Sequence, residues 1–157
     1  MVDFYGLPRL GDGAWPGRES AVGADTHRKA SLVEAALARD LARTAGRQID
    51  PARFIPFVVV HEFEGLLFSD CTAFARGIGR TDLEPQFRRI RDAFATPEDI
   101  NDSPDTCPSK RVTDLVPGYE KPLFGTLAAL EIGLTRIRAA CPHFEEWLQK
   151  LESQIHP

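Results

Sequence analysis

Residues 54 to 70 read FIPFVVVHEFEGLLFSD, an unbroken apolar run that ends abruptly in His61, Glu62, Phe63 and Glu64. Phe57 to Val60 is aromatic and β-branched, too short for a typical helix, and follows Pro56. This predicts a strand over Phe54 to His61 buried on both faces. Such a strand belongs to a covered, parallel sheet, and polar side chains at its carboxyl end stand where open α/β sheets place their ligands.

Working outward, Met1 to Tyr5 is a short apolar run broken by Asp3 and is expected to form the partner strand. Gly6 to Gly23 has five glycines and two prolines around Trp15, a loop by composition with Trp15 as its anchor. Asp25 or Thr26 caps a helix to about Thr44, with Leu32, Val33, Ala36, Leu37 and Leu41 on one face, and Gly46 ends it. Strand, long helix, strand is the order of a parallel βαβ unit with a right-handed crossover.

After the central strand, Gly65 to Phe68 reads as a tight or helical turn and Asp70 to Arg76 as a second, with Phe74 inward. Asp82 is expected to cap a helix through Phe94, since Leu83, Phe87, Ile90 and Phe94 recur at helical spacing. Thr96 to Asp99 is a cap followed by proline, which starts a short helix. Asn101 to Pro108 is too polar and proline-rich to be an element, and Pro108 opens a helix stopped by Pro117 and Gly118. The longest helix is predicted over Pro122 to about Ala140, with Leu123, Leu127, Leu130, Leu134 and Ile137 inward, and Pro142 starts a last amphipathic one. The expected fold is therefore α/β: a small parallel sheet and a mostly helical C-terminal half, helical from about residue 82 onward, in one domain over 1–157.

The chain is 43% hydrophobic and 27% charged, enough apolar side chain for a core. A net charge of −4 argues against a surface that is basic all round, although a local basic face is compatible with it. Cys71, Cys107 and Cys141 are odd in number and widely spaced, which predicts reduced thiols with neither disulfide nor zinc. No apolar run approaches the roughly 20 residues of a membrane span, and the first residues lack a basic segment followed by an apolar one. A cytoplasmic protein is expected.

His61, Glu62 and Glu64 do not make a zinc helix, because the position four residues after His61 is Gly65. On a strand, Glu62 and Glu64 would share one face with His61 and Phe63 on the other. Two carboxylates so placed repel unless a positive charge lies between them. A magnesium ion would supply it, and the competing reading is that both glutamates cap the next helix or pair with arginines. Asp3, a carboxylate inside an apolar strand, would join Glu62 if the two strands are neighbours, or would be an exposed edge residue. Downstream, Lys110 and Arg111 are candidate phosphate contacts, with Asp102 and Asp105 in support; the alternative is a solvated loop.

The motifs VDFYGLP at 2 to 8, WPGR at 15 to 18, FIPFVVVHEFEGLLFSD, PEDINDSPDTCPSKR at 97 to 111 and CPHFEEWL at 141 to 148 resemble the bacterial family called domain of unknown function 4276. The resemblance implies a Toprim-like core, related to topoisomerases, primases and OLD-type nucleases, and an ATPase partner. It implies a magnesium-dependent nuclease acting on nucleic-acid phosphodiesters as a defence effector, with Asp3, Glu62 and Glu64 at the metal and His61, Glu62 and Glu64 in catalysis. Relative to that family, the strand bearing a catalytic glutamate ahead of VDFYGLP is missing, and Tyr5 stands where a second Asp often occurs. The expectation that follows is a partial Toprim-like core that self-associates through an open strand edge. The rival expectation is a non-catalytic interaction subunit whose helical half binds the ATPase.

Overall fold

The computed structural model describes residues 2–45, 50, 53–60, 62–100 and 107–154. Its packing falls into two compact units, Met1–Val60 with His143–Pro157, and His61–Pro142.

In the first unit, β1 (Val2–Asp3) and β2 (Val58–Val59) pair in parallel, Val2 opposite Val58 and Asp3 opposite Val59. Val2 N–H donates to Phe57 O at 3.0 Å and Phe4 N–H to Val59 O at 2.8 Å. The strand, helix, strand order thus gives the expected parallel pair, but the ladder is far shorter than the two apolar runs. Phe54 to Phe57 belongs to no strand, and the chain has left the sheet by Val60. The intervening helix α1 (Thr26–Thr44) starts at an Asp25 cap whose Oδ1 accepts Arg28 N–H at 2.9 Å. Its Ala30 and Val33 pack with Phe4, Leu7, Ala21, Val58 and Val60 into one core cluster, flanked by Trp15, Leu32 and Leu37. The expected end at Gly46 lies outside the described residues.

Polar groups finish this unit. Glu34 of α1 accepts the outward N–H of Val58 at 2.8 Å and stands 3.0 Å from His143 Nε2. That donor would otherwise seek a further strand. Helix α8 (Pro142–Ser153) brings Trp147, which stacks on Phe57 at 4.8 Å and donates its indole N–H to Ile55 O at 3.2 Å. The glycine-rich loop is pinned as well: Arg18 lies 3.8 Å over the Phe4 ring and donates to Phe4 O at 2.9 Å.

The second unit is helical from Phe63 onward, earlier than residue 82: α2 (Phe63–Leu67), α3 (Cys71–Gly77), α4 (Glu84–Arg91), α5 (Pro108–Leu115), α6 (Lys121–Ile132) and α7 (Leu134–Ala140). An aromatic trio sits at its centre, with Phe74 stacked on Phe87 at 4.4 Å and Phe68 edge-on to both. Asp70 caps α3 by accepting Ala73 N–H at 2.8 Å. Asp82 does not cap α4; its carboxylate chelates Arg80 at 2.7 and 2.8 Å, and a 3₁₀ turn over Thr81–Leu83 precedes the helix. The expected short helix is a 3₁₀ turn over Pro97–Asp99, closed by Thr96 N–H donating to Asp99 Oδ2 at 3.1 Å.

The predicted long helix is corrected in two respects. Gly133, at φ +78, breaks it into α6 and α7. The leucines of the expected stripe also face out, Leu123 being 51% exposed, Leu127 43%, Leu130 75% and Leu134 55%, whereas Ile137 is buried as expected. Gly125, Ala128 and Ile132 are buried instead. The reason is the approach of α3, where a Cβ on Gly77 would lie 2.8 Å from Ala128 Cα and 3.0 Å from Leu127 O. Helices this close meet through small residues, which turns the large ones outward. No helix among the described residues is long and apolar enough to cross a membrane.

Candidate functional site

Glu62 and Glu64 are not strand residues. The chain is extended at Glu62 (φ −133, ψ 158), which is the N-cap position of α2, and Glu64 lies in that helix's first turn. Their alternation on a strand face is thereby replaced by a helix start. Glu62 does not cap its own helix. Its Oε2 accepts Ser109 N–H at 2.7 Å, at the start of α5. Pro108 has no N–H, so the buried Ser109 amide is a first-turn donor with no partner inside α5, and Glu62 caps that helix from outside.

The positive charge between the two glutamates is Lys121, the first residue of α6. Its Nζ is 3.5 Å from Glu62 Oε1 and 3.7 Å from Glu64 Oε1. Three helix starts, of α2, α5 and α6, thus bring together two carboxylates, one ammonium and a backbone amide. The side chain of Glu64 is 4% exposed, whereas Lys121 is half exposed. Burial pushes the Glu64 carboxyl above its ordinary range, outweighing its own backbone N–H and Lys121, and the charge of Glu62 adds to it. Burial acts on Glu62 in the same direction, but the Ser109 hydrogen bond and Lys121 together hold it below the ordinary range.

These opposite shifts give opposite pH dependences. Folded Glu64 binds its proton more tightly than the unfolded chain does. Its contribution is therefore complete below the unfolded carboxyl value and is lost as pH rises through the folded one. For Glu62 the contribution is present above the unfolded value and disappears as pH falls through the folded one. Glu64→Gln is expected to melt above the parent near pH 7, with the gap closing towards about pH 4. Glu62→Gln is expected to cost about 1 kcal/mol near pH 7, the value of a helix cap, with the cost shrinking in acid. Thermal melts across this range check both signs, and a reversal of either contradicts the assignment.

Tyr119 completes the neighbourhood. Pro117 and Gly118 turn the chain, with Tyr119 N–H donating to Val116 O at 3.1 Å, and the ring stacks on Phe124 at 5.7 Å. Its hydroxyl is buried and makes no hydrogen bond among the described residues. Burial, and then the charge of Glu64, push the phenol pKa upward, so the hydroxyl keeps its proton.

The other sequence candidates are placed as follows. Asp3 is exposed in the first unit, where its Oδ1 accepts Tyr5 N–H at 2.8 Å. Lys110 pairs with Asp114 one turn along α5 at 2.7 Å, and the Arg111 guanidinium lies 5.5 Å from the Phe94 ring. His61, Asp102 and Asp105 lie outside the described residues. Among the described residues no three His, Cys, Asp or Glu side chains gather closely enough to hold a metal, and Cys71, Cys107 and Cys141 form no disulfide. Sequence reasoning missed Lys121 and Tyr119. One signal was present: Pro122 marks a helix start, and a lysine there opposes the helix dipole unless carboxylates face it.

An α/β chain whose helix starts gather two carboxylates around one lysine is the class that fold and site define. The sequence profile of the domain of unknown function 4276 matches residues 1–152, and the chain belongs to that family. No curated protein and no solved structure matches it.

Proposed function

We propose that the chain supplies an acidic centre for magnesium-dependent phosphodiester chemistry on nucleic acid, in the manner of Toprim-like proteins. The observation that carries this reading is the convergence of Glu62 and Glu64 on a single cation, with Glu64 buried and its carboxyl pushed upward. A buried carboxylate paired with a half-exposed lysine is poor stability engineering, because desolvation offsets the attraction. Such arrangements are kept where charge has work to do. The donor set fits magnesium: hard carboxylate oxygens, few enough that water and phosphate oxygens complete the shell. In this reading Glu62 and Glu64 hold the ion in place of the Lys121 ammonium. Lys121 would then be available to a phosphate oxygen, and Lys110 and Arg111 of helix α5 are further candidate phosphate contacts. The bound ion would polarise the phosphoryl group.

Incubating the chain with labelled single- and double-stranded oligonucleotides tests the activity. Magnesium-dependent cleavage is expected, falling at least about 100-fold in Glu64→Gln, the scale of losing charge stabilisation in a reaction centre. Cleavage that is absent from the parent, or unchanged by that substitution, would overturn the reading.

A second reading, favoured by the exposed leucines of α6 and α7, is a non-catalytic subunit that docks on an ATPase partner through this stripe. Under it, Leu127→Ser with Leu130→Ser would abolish complex formation with that partner while Glu64→Gln would not.

A further inference from the structure

Tyr119 presents a puzzle of placement. A buried phenol hydroxyl without a partner costs free energy that phenylalanine would avoid, and native proteins rarely keep one without a use. The residue is 8% exposed, its ring held by Phe124. Two residues on, Lys121 bridges Glu62 and Glu64. The aromatic ring of Phe63 lies in the same neighbourhood. A Cβ on Gly125 would lie 3.5 Å from the Tyr119 hydroxyl and 3.3 Å from the Phe63 ring, so hydroxyl and ring both flank this glycine, one helical turn after Lys121. Phe63 is 40% exposed and sits between Glu62 and Glu64 in sequence.

We infer that the Tyr119 hydroxyl is a binding residue for a phosphoryl oxygen at the Glu62–Lys121–Glu64 centre, reached when the Phe63 ring moves aside. The inference deepens the proposed function and rests on it. A phenol that keeps its proton is a donor toward an oxyanion, and Lys121 is a cation beside it. Together they supply donors for phosphate oxygens that the two glutamates, as acceptors, leave to a metal. The acceptor-only carboxylates explain why a separate donor is needed. The ligand class is phosphate esters, with inorganic phosphate as the simplest probe.

The chain has two tyrosines, so labelling the tyrosine Cζ carbon gives two NMR signals, one from buried Tyr119 and one from half-exposed Tyr5. Titrating inorganic phosphate in the presence of magnesium is expected to shift the Tyr119 signal saturably and leave Tyr5 in place. Tyr119→Phe is expected to bind magnesium within twofold of the parent and phosphate about tenfold more weakly, the size of one lost hydrogen bond. Its melting temperature should be equal or higher, since an unpartnered polar group is removed. A Tyr119 signal that does not move, phosphate affinity unchanged in Tyr119→Phe, or a melt several degrees lower would overturn the inference while magnesium binding persists. If the parent fails to bind magnesium at all, the proposed function falls and the inference with it.

Discussion

Gly17→Ala is expected to lower the stability of the chain by about 2 to 5 kcal/mol, combining backbone strain with overpacking. Gly17 has φ +76, a conformation that L side chains rarely adopt. A Cβ there would also lie 2.7 Å from Ala36 Cβ, 2.8 Å from Leu32 O and 3.1 Å from Val33 Cα, two of them backbone atoms of α1. The helix cannot yield without lifting Val33 out of the core it shares with Phe4 and Val58. The WPGR motif is therefore a clamp, with Gly17 against the helix and Arg18 on Phe4. Urea unfolding measures the loss, and a change below 1 kcal/mol would show that the loop is loosely held.

Gly77→Ala is expected to cost about 1 to 3 kcal/mol in the second unit. Its Cβ would stand 2.8 Å from Ala128 Cα and 3.0 Å from Leu127 O, and the helices α3 and α6 would have to separate by a few tenths of an ångström or more. Because α6 begins with Lys121, the separation should also loosen the ion bridge to Glu62 and Glu64. The same urea experiment, read with the pH dependence of melting, checks both consequences. Loss of stability with an unaltered pH profile would show that the bridge tolerates the shift.

The parallel pairing of the first two strands was legible in the sequence because a crossover helix between two apolar runs leaves few other arrangements. Strand length was not. An apolar run shows what is buried, but Phe57 is buried by stacking on Trp147 and Val60 by the core, although neither is a strand residue. The same limit explains the outward leucines: periodicity places residues on one helix face, and the face chosen is set by Gly77 and Ala128, whose small size carries no hydrophobic signal. At the candidate site, Glu62 and Glu64 stood out by their abruptness after the apolar run. The need for a positive charge between them was also legible, whereas Lys121 was hidden because it lies far along the chain, at a helix start reached only through the fold.

We propose that Glu62 and Glu64 take a divalent cation in competition with Lys121. Calorimetric titration of magnesium into the parent chain, Lys121→Met and Glu64→Gln tests it most directly. Saturable binding in the parent, binding about tenfold tighter in Lys121→Met because a competing charge is removed, and loss in Glu64→Gln are expected. Absence of magnesium binding in the parent, or binding that survives in Glu64→Gln, would contradict this reading.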